Sequence, residues 1–337
     1  MKVLIYFESA DSIKNSGIGR AMTHQLKALK LNNVETTIDK NDTYDIAHIN
    51  TYWPKSQALI KKCRKRGIPV IVHGHSTYED FRNSFRMWQV AEPFYDMCLK
   101  NMYSRADLII APTSYAADLI ASYKFVSCKT TFISNGISMD EYGKSPAAVQ
   151  SFRDRFGIKE GEPFIMGVGF PFERKGIQDF IEVARQMPDV KFIWFGGLQK
   201  ILTNQKVLNW IKEKPENVLM PGYVKGDVIH GAYQSAAALF MPSYEETEGI
   251  VNLEALASSC PLVCRDIGVY DGWLKDGYNA HLCSSNAEFK SVLENLVRNG
   301  EDEDILRHGY ETAAERDLKI IGAKLKDTYE MLLKGHA

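Results

Sequence analysis

Short apolar runs of five to seven residues return along the whole chain, and most are followed by a longer stretch with the period of an amphipathic helix. That alternation restricts the fold to parallel sheets covered by helices, because parallel strands need crossovers and are buried on both faces. In the first half the expected strands are residues 3–7, 35–39, 45–51, 69–75, 108–113 and 130–136, with helices near 19–31, 55–66, 92–104 and 114–122. Together they make one doubly wound domain. A polar, irregular stretch is expected around 137–160. A fresh series of strands then follows at 164–169, 191–197, 218–223, 239–243 and 261–266, with helices between them and three helical stretches from about 286 onward. Two open α/β domains in tandem bind ligands at the carboxyl ends of their strands, so functional residues are sought there.

A chain of 337 residues with 45% hydrophobic content is long enough for two cores. The net charge of -1 carries no nucleic-acid signal, and no nucleic-acid partner is expected. Charge is nevertheless uneven: residues 1–140 hold 18 Lys and Arg against 13 Asp and Glu, and the remainder 23 against 29, so the amino-terminal part is the basic one. The six cysteines form no C-x-x-C pair and read as reduced thiols of a cytoplasmic protein. The opening apolar run ends at Glu8, too short for a signal peptide, and nothing approaches the ~20 apolar residues of a spanning helix. A protein that is soluble or lies on a membrane surface is expected.

The segment PSYEETEGIVNLEALASSCPLV, residues 242–263, carries most of the chemistry. It puts Glu246 on the loop after an apolar strand and Glu254 eight residues later on a helix that begins near Gly249. The first backbone N–H groups of such a helix suit an anion. Glu246 can accept hydrogen bonds from sugar hydroxyls, and Glu254 can take a cis-diol such as ribose. Hexose, diphosphate and ribose can therefore share one segment. Beside it, Arg174 and Lys175 lie on the loop between a strand ending at Gly169 and a helix starting near Gly176. A cation pair there can neutralise a departing diphosphate without a metal. The one D-x-D, Asp302 and Asp304, reads instead as a helix cap and first turn, so no metal and no cofactor are expected.

In the first half His48, His73 and His75 sit at strand ends, without the accompanying carboxylate or cysteine of a zinc site. Gly17 and Gly19 in SGIGRAM would let backbone approach a phosphate. With Asp39 they also resemble a dinucleotide fingerprint, which makes a NAD-dependent oxidoreductase the distant alternative. Against it stand Met22 where a third glycine belongs and nine residues between Phe7 and Gly17.

The segment from Pro242 to Ala255 resembles the P-S-x-x-E-x-x-G-[IL]-x-x-x-E-A signature of the retaining glycosyltransferases of family 4, which have the GT-B fold. The resemblance covers nearly the whole chain. It implies two Rossmann-like domains facing a cleft: residues 1–140 together with a last helix, 319–337, that crosses back, and a nucleotide-sugar-binding domain, 141–318. It implies a hexosyltransferase with His75, Arg174, Lys175 and Glu246 at the reacting centre, His75 beside the anomeric carbon. Donor contacts would come from Gly17, Gly19, Asn135, Gly169, Tyr223, Val224, Glu248, Gly249, Ile250, Val251 and Glu254. Two positions depart from the family: Glu248 stands where an aromatic residue is common. Phe170 replaces an arginine whose phosphate contact Arg174 is expected to take over.

For the acceptor, Lys61, Lys62, Arg64, Lys65 and Arg66 form a cationic cluster, and Arg82 and Arg86 mix with Phe81, Phe85, Met87 and Trp88. Such a mixture suits an anionic membrane surface. The segments SGIGRAMTHQLKAL, HINTYWPKS, HGHSTYEDFRNSF and EETEGIVNLEALA look like the bacterial diacylglycerol glycolipid synthases that add the second hexose to monoglucosyl-diacylglycerol. This implies glucose or galactose moving from a UDP-sugar to a membrane glycolipid, by an enzyme peripheral to the inner face of the cell membrane. A soluble or polyisoprenoid-linked glycan is the alternative acceptor. A degenerate partner-binding subunit would have lost Glu246, Lys175 or Glu254, and an epimerase would need an added acid and base.

Overall fold

The computed structural model describes residues 1–13, 16–82, 84, 86–198 and 203–336, with the backbone only for Ser12, Ile13 and His336; Phe85, named above, lies outside the described residues. The chain forms two compact units, one of residues 1–81, 89–136 and 316–337, the other of residues 82–88 and 137–315.

The first unit runs β1 (Lys2–Tyr6), α1 (Ala10–Ile13), α2 (Gly17–Leu31), β2 (Glu35–Thr37), β3 (Ile46–Ile49), α3 (Pro54–Lys65), β4 (Val70–His73), α4 (Tyr78–Phe81), α5 (Trp88–Tyr103), β5 (Leu108–Ala111), α6 (Ser114–Ala121) and β6 (Lys129–Phe132). Its strands make one parallel sheet in the order β2-β1-β3-β4-β5-β6. Ile5, Ile71 and Ile110 fill the core beneath Leu325 and Tyr329 of the last helix, α14 (Leu318–His336). That helix lies against α2, and the approach is close. A Cβ at Gly322 would meet the Ala28 carbonyl oxygen at 2.1 Å, so only glycine fits. Asn32 seals the contact, its Nδ2 donating to the Lys319 carbonyl at 2.9 Å.

The second unit runs α7 (Pro146–Phe156), β7 (Phe164–Val168), α8 (Ile177–Arg185), β8 (Lys191–Phe195), α9 (Gln205–Lys212), β9 (Val218–Gly222), α10 (Asp227–Ser235), β10 (Ala238–Met241), α11 (Ile250–Ala257), β11 (Leu262–Arg265), β12 (His281–Cys283), α12 (Asn286–Asn299) and α13 (Glu303–Ala314). Its parallel sheet has the order β12-β11-β10-β7-β8-β9, the doubly wound arrangement whose direction reverses between β7 and β10. Phe180, Trp194, Phe240 and Phe289 pack on each other and on the sheet.

Three local features differ from the sequence reading. The stretch 137–160 is not irregular: it holds a 3-10 turn, Met139–Tyr142, and α7, whose buried side is only Ala148 and Phe152. Strand β12, three residues long, was not expected, since His281–Cys283 is too short to stand out. Helix α5 begins at Trp88, a turn before Pro93, which lies inside it. Proline forgoes one helical hydrogen bond there, a loss borne because Tyr95, Cys98, Leu99 and Met102 anchor the rest of the helix in the core.

Candidate active site

The reversal point of the second sheet collects the charged residues. Strand β7 ends at Val168 and its loop carries Arg174 and Lys175; β10 ends at Met241 and its loop carries Ser243 and Glu246. Gly176 lets the two loops touch. Its φ is +70°, and a Cβ would meet the Pro242 carbonyl oxygen at 2.2 Å. The Arg174 carbonyl accepts from the Tyr244 N–H at 2.7 Å, which zips the loops together. We expect Gly176→Ala to lower the melting temperature by several degrees, since strain and clash together cost about 1–3 kcal/mol; thermal unfolding of the purified variant checks this.

Within this frame Lys175 Nζ donates to Glu246 Oε1, Ser243 Oγ donates to the same oxygen at 2.9 Å, and Arg174 Nη1 lies 3.9 Å from Oε2. Arg174 is further held by its Nε on Ser84 Oγ at 2.6 Å and its Nη1 on the Glu245 carbonyl at 3.1 Å. Glu246 is 5% exposed. Burial alone would raise its pKa, but the Lys175 and Arg174 charges outweigh it and hold the carboxyl below its ordinary range. Within this cluster two cations share one buried carboxylate, which leaves a surplus of positive charge among the three groups. Such a site attracts an anion with no ion of its own.

Helix α11 starts after Gly249, with Glu248 buried before it and Ile250 and Val251 in its first turn. Glu254, 4% exposed, is fixed by the buried Tyr233 hydroxyl, which donates to its Oε2 at 2.7 Å. Gly169 follows β7, its carbonyl accepting from Trp194 Nε1 at 2.8 Å. Tyr223 and Val224 follow β9, the first half exposed and the second buried. Ser84, Ser243 and Tyr233 were not singled out in the sequence. Ser84 lies in HGHSTYEDFRNSF, and nothing local links it to a residue 90 positions away.

In the first unit His75, just past β4, lies with Asn135 in the wall of a small recess. His75 Nε2 is 3.1 Å from Asn50 Oδ1, and burial pushes its pKa down to about 3, so the ring is neutral. The loop that carries Asn50 is pinned by Glu8. This buried carboxylate accepts from the Ser56 N–H at 2.8 Å, capping α3, whose own N-cap Trp53 offers no side-chain hydrogen bond. Gly17 and Gly19 open α2, with Ser16 Oγ accepting from the Gly19 N–H at 3.3 Å. Lys61, Lys62, Arg64, Lys65 and Arg66 are exposed on and just beyond α3. Arg82, Arg86 and Trp88 group instead with the second unit. An apolar stripe not singled out in the sequence runs along α5: Val90, Phe94 and Met97 are 72%, 47% and 49% exposed. It belongs to the same unit as the α3 cations, and Tyr52, just before α3, packs edge-on against Tyr95 of α5 at 5.1 Å.

Among the described residues no group of three or more His, Cys, Asp or Glu side chains could hold a metal ion, and no helix is long and apolar enough to cross a membrane.

Two doubly wound units, with paired cations and a buried glutamate at the reversal point of the second, are the architecture of nucleotide-sugar transferases. Residues 149–316 match the family described as glycosyl transferases group 1, and residues 20–141 match glycosyltransferase family 4. The chain belongs to the family-4 glycosyltransferases of the GT-B fold and is a glycosyltransferase. It is 46% identical over 334 residues, 99% of each chain, to the processive diacylglycerol alpha-glucosyltransferase of Acholeplasma laidlawii. It is 26% identical to the alpha-monoglucosyldiacylglycerol synthase of the same organism, over 84% of this chain and 74% of that one. Anabaena Alr3699/HepE, crystallised with UDP and glucose, shares the fold with a TM-score of 0.78 at 17% identity, covering 98% of this chain and all of that one.

Proposed function

We propose that the protein transfers glucose, with retention at the anomeric carbon, from UDP-glucose to a membrane glycolipid, monoglucosyl-diacylglycerol. The observation that carries this reading is the end-to-end likeness to the diacylglycerol glucosyltransferase, set beside a donor-type cluster of Lys175, Arg174 and Glu246 at the reversal point of the second sheet. In it, Lys175 and Arg174 neutralise the diphosphate as it leaves, Glu246 orients the hexose, and Glu254, steadied by Tyr233, takes the ribose. A neutral His75 contacts the sugar near its reacting carbon. The acceptor hydroxyl attacks from the face the diphosphate leaves, and a phosphate oxygen takes its proton. Protein groups then supply position and charge without an added metal ion.

The test is product identification. Purified protein is incubated with UDP-glucose and vesicles holding diacylglycerol or monoglucosyl-diacylglycerol, with and without a chelator. The expected product is diglucosyl-diacylglycerol from the monoglucosyl-diacylglycerol vesicles, with or without the chelator, and any longer products are counted because the A. laidlawii relative is named processive. Free glucose alone, or loss of product on chelation, would contradict the reading.

The enzyme works from the inner face of the cell membrane, docking through the first unit. The α3 cations attract an anionic leaflet, each contributing roughly 1 kcal/mol, while Val90, Phe94 and Met97 enter the headgroup boundary. Phe94→Ser with Met97→Ser is expected to weaken co-sedimentation with anionic vesicles at least tenfold. Transfer to a detergent-dispersed acceptor should fall far less. Unchanged co-sedimentation would remove α5 from the docking surface.

A further inference from the structure

Arg265, the last residue of β11, is a cation at the strand ends to which the proposed reaction gives no role. Its side chain is 12% exposed and reaches toward both loops of the site. Nε donates to the Pro242 carbonyl at 3.1 Å, and Nη2 donates to Asp179 Oδ2 at 3.1 Å. Chemistry fixes the direction of both bonds, since a guanidinium only donates and a carbonyl oxygen only accepts. Asp179 stands in the first turn of α8, the helix that begins directly after Lys175 and Gly176. Pro242 opens the loop that carries Ser243 and Glu246, and its carbonyl is the one packed against Gly176. The guanidinium carbon also lies 4.0 Å from the centre of the Tyr244 ring and 5.3 Å from that of the fully buried Phe289. Tyr244 in turn gives its N–H to the Arg174 carbonyl.

We propose that Arg265 is a positioning residue for sugar transfer: working through Pro242, Tyr244 and Asp179, it holds the Glu246 loop against the Lys175 loop so that carboxylate and ammonium keep their places. The inference rests on the assignment of Lys175 and Glu246 to the donor. Shape demands an arginine. One planar fork meets a carbonyl and a carboxylate in two directions while stacking on an aromatic ring, whereas a lysine ammonium is a single point on a flexible stem. A slack Pro242 carbonyl would move Ser243 and Glu246 together, because Ser243 follows it directly and Ser243 Oγ binds Glu246 Oε1 at 2.9 Å. Misplacement of a reacting site by about 1 Å can cost about 10² in rate.

Arg265→Lys is the test, because it keeps a charge beside Asp179 and loses the fork. Rates are read as UDP release from UDP-glucose with glycolipid vesicles present, at a temperature where circular dichroism shows every variant folded. Arg265→Lys is expected to lower kcat by about tenfold with KM for UDP-glucose within about threefold, a split that loss of stability alone does not give. In a Glu246→Gln background the same change should lower kcat by less than about threefold further, since the group being positioned is already disabled. A loss below about fivefold in Arg265→Lys, or an equal loss in both backgrounds, overturns the proposal. Wild-type turnover in Glu246→Gln alone refutes instead the donor assignment, so the two failures are told apart. If Arg265→Lys does not fold, Asp179→Asn decides. It keeps the shape, weakens the ionic hydrogen bond to a half-neutral one, and is expected to lower kcat about fivefold. A folded Asp179→Asn with kcat within about twofold of wild type overturns the proposal.

Discussion

Lys175→Ala is expected to lower turnover by a factor of about 10² to 10³, equivalent to about 2.7–4 kcal/mol of transition-state stabilisation, by comparison with loss of one preorganised oxyanion donor. The ammonium is already oriented on Glu246 and partly buried, so it meets a departing diphosphate without reorganising. Single-turnover kinetics with UDP-glucose would locate the loss in the transfer step, with donor affinity changed much less. A variant within fivefold of wild type would remove Lys175 from the leaving-group site. Arg174 could not replace it, being tied to Ser84 and the Glu245 carbonyl.

Glu246→Ala is expected to damage both stability and turnover. Its carboxylate is the shared counter-ion of two partly buried cations, and breaking such a cluster from one side costs about 3–5 kcal/mol. Denaturant unfolding of wild type and variant would measure that loss. The pH dependence has a definite sign. Because the folded-state pKa lies below the ordinary 4.5, the contribution of Glu246 is present above that value and disappears as pH falls through the depressed one. The wild type should therefore lose stability on acidification more steeply than the variant. Glu246→Gln keeps the shape, and in it transfer should fall at least a hundredfold, since a neutral amide neither holds the cations nor accepts as strongly from sugar hydroxyls. Near wild-type transfer would refute the assignment.

Much of this was legible in the chain itself because doubly wound sheets announce themselves as buried apolar runs, and strand ends are where chemistry collects. Glu246 and Lys175, 71 residues apart in sequence, could be assigned to one site on that basis together with the resemblance to family 4. What could not be read is contact between residues with no local signal. Tyr329 is 281 positions from His48, and its place in an amphipathic helix says only that it is buried. Ser84 sits in a stretch that reads as part of the first half, yet it groups with the second unit and grips Arg174. Helix α7 escaped notice because its apolar side is two residues wide. The exposure of the α5 stripe is not legible in the chain, because Val90, Phe94 and Met97 fit the helical period of a core face, and only the structure turns them to solvent.

The central claim is that Lys175 and Arg174 of the second unit hold the nucleotide diphosphate, with the ribose on Glu254. A crystal structure with UDP bound tests it most directly. Phosphate oxygens within hydrogen-bond distance of Lys175 Nζ and the ribose hydroxyls on Glu254 are the predicted result. UDP lodged elsewhere, or bridged to the protein through a divalent ion instead of these side chains, would contradict it.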